Sequence, residues 1–417
     1  MGLGPSTKMT TLHHYDCPIT KGLLKEDSLD FCGIIVNGVS ESYDDKVFTA
    51  KRSADIANGM RVDGAIVEID GWGNHHIDFV SVIEELGKKG IPSVGVSYFG
   101  LQGRLVCTNQ YVETLVDFNK NTSGYESCIV GDNNINKYDV YKTIGFLKHK
   151  LKNKIESSNS IEQGYKERIV ANLTRCKYQI SDVIFGDKTE IEGSNLIIGN
   201  DIKKFEDSNY DRIEKITVNI IKPEDNRHIF VNSNLDFMPI ACKNFEELGQ
   251  GNTIILDGVK VMLTGVEDVS GFQPSNIGSS EGYLDEVVKF NEAGTPKDSD
   301  ILLHIDILFK EGEGRTSEGL SEAHYIMDSI VNKIRHKMKN IEDRTLEKEQ
   351  FYDVIKVGKP RVILVKITSG LGNMYDTSVF PFEPCGYVGS TMLRKINNFP
   401  IVISPCQCLD GVIHSLL

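Results

Sequence analysis

No apolar run in this chain reaches the roughly 18 residues that a membrane-spanning helix requires. The first residues, Met-Gly-Leu-Gly-Pro-Ser-Thr-Lys, also lack the apolar centre of a secretory signal. Together these absences predict a soluble, cytoplasmic protein. Basic residues are short as well: 46 Lys and Arg stand against 59 Asp and Glu, a formal charge of -13. A protein that binds nucleic acid or an anionic membrane displaces counterions with a basic surface, so neither partner is expected. Nine cysteines are scattered, without the density of a secreted disulfide framework. The closest pair, Cys406 and Cys408, has one residue between its members and no second pair nearby, so no metal site is predicted. Most of the thiols read as reduced, small core side chains.

What is present is an ordinary globular composition, 40% hydrophobic and 25% charged, over 417 residues. That length predicts two or three packed units. The first 153 residues alternate between strand and helix patterns. Apolar runs at 32–37, 64–69 and 93–98 are separated by a helical pattern at 46–60 and another over Phe79, Val82, Ile83 and Leu86. Gly90 and Pro92 stop that second helix. Such alternation predicts an α/β unit with a parallel sheet. A further helix is expected over 137–152, and the polar stretch 154–176 reads as a connector.

From 177 to 417 the character changes to mixed α+β. Short strands are expected near 183–185, 196–198, 213–221 and 301–309. Residues 253–263 predict a hairpin turning at Asp257-Gly258. A long amphipathic helix is expected over 317–341, with Leu320, Ala323, Met327, Ile330, Ile334 and Met338 on its apolar face. Residues 362–367 and 401–403 read as buried closing strands of this second unit.

Ligands in open parallel sheets bind beyond the carboxyl ends of the strands. The segment Asp70 to Asp78 leaves the second strand run and enters a helix there, which makes Gly71, Gly73, Asn74, His75 and Asp78 candidates for a substrate pocket. Its glycines permit a tight turn, and the free N–H groups of a helix start suit a carboxylate. The alternative reading is a helix cap beside a packed Trp72. His75 and His76 are adjacent on a helix, diverge by about 100°, and so do not share a metal ion. Two further glycine-rich loops, 278–282 and 310–317, contribute Glu281 and Arg315 as pocket candidates. An arginine before a helix start can hold a carboxylate through two hydrogen bonds. Neither loop has Walker or dinucleotide spacing.

The same loops carry a family resemblance. Asp63–Val67, Gly71–Phe79 and Gly90–Ser97 resemble the pyruvoyl-bearing product of the D-proline reductase proprotein family, and more distantly component B of glycine reductase. Residues 278–282, 310–315, 383–386, 398–405 and 410–416 resemble the other product of that proprotein. Compared with the family, the two blocks stand in exchanged order. Met1 occupies the place of the cysteine that becomes the pyruvoyl group. Methionine has no side-chain OH or SH to attack the peptide carbonyl, so no pyruvoyl is expected by that route. Cys242 is the rival precursor, by analogy with internal cleavage in glycine reductase component B, although 235–243 reads as an ordinary strand.

The resemblance implies reductive ring cleavage of D-proline to 5-aminovalerate in amino-acid fermentation. It also implies partner subunits that carry the pyruvoyl and selenocysteine groups, in an oligomeric assembly. Two roles follow from it. The chain is a subunit or paralogue of such a reductase, or a non-catalytic factor in its assembly and maturation.

Overall fold

The computed structural model describes residues 10–39, 42–69, 75–97, 100–120, 129–159, 167–225, 227–243, 247–267, 281–314, 316–341, 347–368 and 400–411. The first sheet has six strands in the order β19 (Ile401–Ile403), β1 (Asp30–Gly38), β18 (Arg361–Thr368), β2 (Gly64–Ile69), β3 (Ser93–Ser97) and β4 (Leu115–Asp117). All neighbours are parallel except β19, which runs against β1. Every residue of β2 is buried, as expected for a strand covered on both faces. Helices α3 (Tyr43–Gly59) and α4 (His75–Lys88) cover one face, where Ala50, Ala54, Phe79 and Ile83 meet Ile35, Val67 and Val365. Helices α2 (Pro18–Leu24) and α5 (Lys137–Lys150) cover the other, over Ile34, Ile66 and Leu364. Asn136 starts α5 with a capping box: its side chain accepts from the Tyr138 and Asp139 N–H groups, and Asp139 accepts from Asn136 N.

The sequence reading assigned 362–367 and 401–403 to the second unit. They pair instead within the first sheet, with β18 between β1 and β2. A wholly apolar strand needs cover on both faces, and the central slot of a parallel sheet supplies it. The stretch read as a polar connector is also structured. It holds most of the short helix α6 (Lys152–Asn159) and most of β5 (Glu167–Gln179).

Beyond β5, the chain builds four smaller sheets. One has the order β11 (Asn234–Met238), β14 (Val259–Glu267), β16 (Ile301–Phe309) and β9 (Ile213–Ile221). A second has β12 (Ala241–Lys243), β13 (Gly251–Asp257), β5 and β17 (Glu347–Lys356). Strands β6 (Asp182–Phe185), β8 (Asn195–Ile198) and β7 (Glu190–Glu192) form a third, beside the short helix α7 (Asn200–Lys203). The fourth pairs β10 (Phe230–Val231) with β15 (Gly282–Tyr283), which leads into α8 (Leu284–Val287). The long helix α9 (Ser317–Met338) buries all six residues expected on its apolar face. A last helix, α10 (Pro405–Cys408), begins at the Ser404 capping box.

Asp257-Gly258 does not close a hairpin. Strand β13 pairs with β12 and β5, whereas β14 pairs with β11 and β16, so the turn carries the chain from one sheet to another. Asp257 O accepts from Ile180 N at 2.8 Å, and Gly258 O accepts from Ile301 N at 2.9 Å. Gly258 has a φ of +86°, and a Cβ there would lie 2.2 Å from Ile180 O. The Asp-Gly pair fixed the local bend correctly. Its strands found better partners than each other.

Helix α1 (Thr11–Tyr15) joins the first sheet to the rest. Thr11 donates to the buried Asp236 carboxylate of β11 through its N–H (2.9 Å) and its hydroxyl (2.5 Å). Thr10 Oγ1 donates to Gly294 O at 2.6 Å.

Candidate functional site

At the carboxyl ends of the parallel strands, otherwise apolar runs each carry a polar residue. Asn37 is the penultimate residue of β1, Glu68 stands in Gly-Ala-Ile-Val-Glu-Ile, and Lys366 in Val-Ile-Leu-Val-Lys-Ile. Lys366 and Glu68 are register partners on adjacent strands, so their side chains share one face. Their Nζ and Oε2 atoms are 3.1 Å apart, and both side chains are fully buried. Burying two charges is costly unless they are paired with each other and with further polar groups. Two such groups arrive from the α1–α2 segment. His13 Nε2 lies 3.5 Å from Glu68 Oε1, and Cys17 Sγ lies 3.2 Å from Lys366 Nζ.

Burial alone would push the Glu68 carboxyl up, but Lys366 and His13 outweigh it and hold it below the ordinary carboxylate value. Burial would likewise lower Lys366, yet Cys17 and Glu68 raise it instead. Lys366 is therefore a fixed ammonium here and not an amine nucleophile. Its charge acts on Cys17: burial raises that thiol, but the Cys408 thiol and the Lys366 ammonium together bring it well below its ordinary value.

The opposite face of the sheet carries a second buried pair. Lys46 of α3 and Asp78 of α4 are 2.5 Å apart, with both side chains buried. One turn before Asp78 stands His75, fully buried, with neither ring nitrogen hydrogen-bonded. Burial, helped by the Lys46 charge, pushes its pKa down to about 3, so His75 is neutral at physiological pH. Among the described residues, Asn37 Nδ2, Thr368 Oγ1 and Asn133 Nδ2 are also buried without a hydrogen-bond partner. Buried polar atoms are satisfied in most native proteins, so these groups are available to a ligand or to water. This strand-end floor spans both faces of the sheet, with Asn37, His75 and the Lys46–Asp78 pair on one and Thr368 and the Lys366–Glu68 pair on the other. That combination suits a small zwitterion better than a net ion.

Of the residues singled out from sequence, His75 and Asp78 lie in this floor. Gly71, Gly73, Asn74 and Arg315 lie outside the described residues. Glu281 precedes β15, which pairs with β10, and burial raises its carboxyl. The sequence reading missed Cys17, His13, Lys46, Glu68 and Lys366. A signal existed for Glu68 and Lys366, since a charged residue inside a doubly covered strand must find a buried partner.

Cys242 lies in β12, buried and paired with Ile254 in an antiparallel ladder. Its Sγ reaches Lys243 O at 3.9 Å, and burial raises the thiol. A cleft of about 630 Å³ separates α1–α2 from the second-unit sheets. It is lined by Tyr15, Asp16, Lys21, Arg175, Asp257 and Lys297, among others.

The model of the family described as glycine/sarcosine/betaine reductase component B subunits matches residues 3–160 and 171–415. The D-proline reductase proprotein PrdA of Acetoanaerobium sticklandii is 32% identical over 251 residues, which take in 60% of this chain and 40% of that protein. The betaine reductase complex component B subunit alpha of Peptoclostridium acidaminophilum is 31% identical over 94 residues, 22% of this chain and 21% of that one. The alignments therefore span less than half of either relative. No solved structure matches. With the family model matched over nearly its whole length, the chain belongs to the glycine/sarcosine/betaine reductase component B family.

Proposed function

We propose that this chain is a substrate-binding subunit of a D-proline reductase-type complex, with the pyruvoyl and selenocysteine groups on partner subunits. The observation that carries the reading is the charge-balanced, partly unsatisfied floor at the strand ends, in a chain whose relative is a D-proline reductase proprotein. D-proline is a zwitterion, and its ammonium and carboxylate need donors and acceptors of the kind that Asn37 and His75 offer on one face. The chain's part is to bind and orient, and to exclude water. A carbonyl on a partner would withdraw electrons from the amine, and a partner selenolate would take part in cutting the ring C–N bond.

The surroundings of Cys242 do not suit it as the precursor of such a carbonyl. Self-processing requires the thiol to reach the Ala241 carbonyl carbon, whereas Sγ is directed to Lys243 O within a regular ladder. One contact favours the opposite reading. Arg335 Nε donates to Ala241 O at 3.1 Å and would polarise that carbonyl toward attack.

Thermal-shift titration of the purified chain should show stabilisation by D-proline and a weaker response to L-proline, glycine and betaine. No shift with D-proline would refute the substrate-binding role. Tagged chain should also remain, in fixed stoichiometry, in active reductase purified from its own cells. Release before the active complex forms would make it an assembly factor. Intact-mass spectrometry should return one uncleaved chain. Two fragments split before Cys242, the second reactive to a carbonyl probe, would establish internal processing.

A further inference from the structure

The segments that carry Cys17 and Cys408 are held side by side. Arg175, itself buried, donates from Nε to Leu409 O at 2.6 Å and from a terminal nitrogen to Tyr15 O. One guanidinium thus clamps the residue after Cys408 to a residue two before Cys17. Cys408 Sγ donates to His14 O at 3.3 Å. Thr20 touches both sulfurs, its N–H at 3.5 Å from Cys17 Sγ and its hydroxyl at 4.0 Å from Cys408 Sγ. Lys366 Nζ stands 3.2 Å from Cys17 Sγ. Ion pairing to Glu68 needs only Lys366, and capping of α2 needs only the Cys17 sulfur as acceptor for Thr20 N–H. Neither role needs two thiols.

We propose that Cys17 and Cys408 form a redox-active dithiol that exchanges with a low-molecular-weight disulfide, with Cys17 as the attacking thiolate. Cys17 attacks one sulfur of the incoming disulfide, forming a mixed disulfide and expelling one thiolate. Cys408 then gives up its proton, attacks Cys17 Sγ and expels the second thiolate. Overall, two protein thiols and one disulfide become one protein disulfide and two small thiols. The protein is oxidised by two electrons and the reagent reduced by two. Lys366 stabilises Cys17 as the thiolate that begins the exchange. Both sulfurs are buried, so the exchange requires the α1–α2 segment to open toward the 630 Å³ cleft that Tyr15, Asp16 and Pro18 line. This inference does not depend on which amino acid the floor accepts.

The full-length chain, incubated with oxidised glutathione, should lose 2 Da, and its titratable thiols after denaturation should fall from nine to seven. Peptide mapping should join Cys17 to Cys408, and dithiothreitol should reverse the link. Cys17→Ser and Cys408→Ser should each abolish the loss, while Cys406→Ser should leave it intact. Alkylation of Cys17 in Lys366→Met should show a midpoint about one pH unit higher or more, which is about tenfold slower at neutral pH. If Lys366→Met does not fold, the wild-type mass and peptide map decide alone. No thiol loss, a link through Cys406, or a lasting glutathione adduct on Cys17 would each overturn the proposal.

Discussion

Two buried lysine–carboxylate pairs flank the same sheet, and they are built differently. Lys46 and Asp78 both come from helices, α3 and α4, on one face. Lys366 and Glu68 come from adjacent strands on the other. A helix-borne pair can adjust as its helices shift, whereas a strand-borne pair is fixed by backbone register. The helix pair stands beside a neutral, unsatisfied histidine. The strand pair stands at the centre of a network with a thiol and a second histidine. The contrast divides the labour of the site. One face holds a neutral buried histidine beside its ion pair, and the other a fixed cation that controls a nucleophile.

The comparison breaks most readily at Lys366. Replacing it with Met leaves Glu68 and Cys17 buried without their cation, and should cost about 3–5 kcal/mol of unfolding free energy by urea titration. The double variant Lys366→Met with Glu68→Gln should recover part of that loss. If the double variant is no more stable than the single one, the pair is not the unit it looks to be. Lys46→Met should cost less, about 3 kcal/mol at the low end of that range, because it strands one anion where Lys366→Met strands two. An equal or larger loss at Lys46 would reverse the ranking of the two faces.

Smaller effects sharpen the contrast. The folded pKa of His75 is about 3, well below its unfolded value, so the unfolded chain binds a proton that the folded chain refuses. His75 therefore contributes stability above about pH 6.5 that is lost as pH falls toward 3. His75→Leu should flatten the slope of stability against pH in that window by up to about 1.4 kcal/mol per pH unit. An unchanged slope would mean that His75 takes up its proton in the folded protein. Smallest of all, Cys17→Ala should keep both ion pairs and cost about 1 kcal/mol, chiefly through the lost acceptor at the start of α2. A loss comparable with Lys366→Met would make the thiol a structural member of the network.

Much of the architecture was legible before any coordinates. Periodicity located α3, α4, α5 and α9 and the six burying residues of α9, because a covered helix face must repeat near 3.6 residues. The alternation of apolar strands and helices required a parallel sheet. The partners of strands were not legible. Residues 362–367 have the composition of a central strand, but nothing local says which sheet they enter. Asp257-Gly258 specifies a bend, yet a bend joins strands of two sheets as readily as strands of one.

The site divides in the same way. His75 and Asp78 stand out in the sequence because they follow a strand at a place where open sheets bind ligands. Cys17, Lys46 and Lys366 lie hundreds of residues apart or on separate helices, and no spacing rule connects them. The sequence determined that Glu68 and Lys366 stand inside apolar runs, and a buried charge demands a counter-charge wherever it lies. Only the tertiary structure decided which one. Placing β18 beside β2 in register brought the Lys366 ammonium to Glu68, and docking α1–α2 over that face brought Cys17 to the ammonium and His13 to the carboxylate. Partner choice is a long-range property, set by which packing buries the most apolar surface while leaving the fewest charges alone.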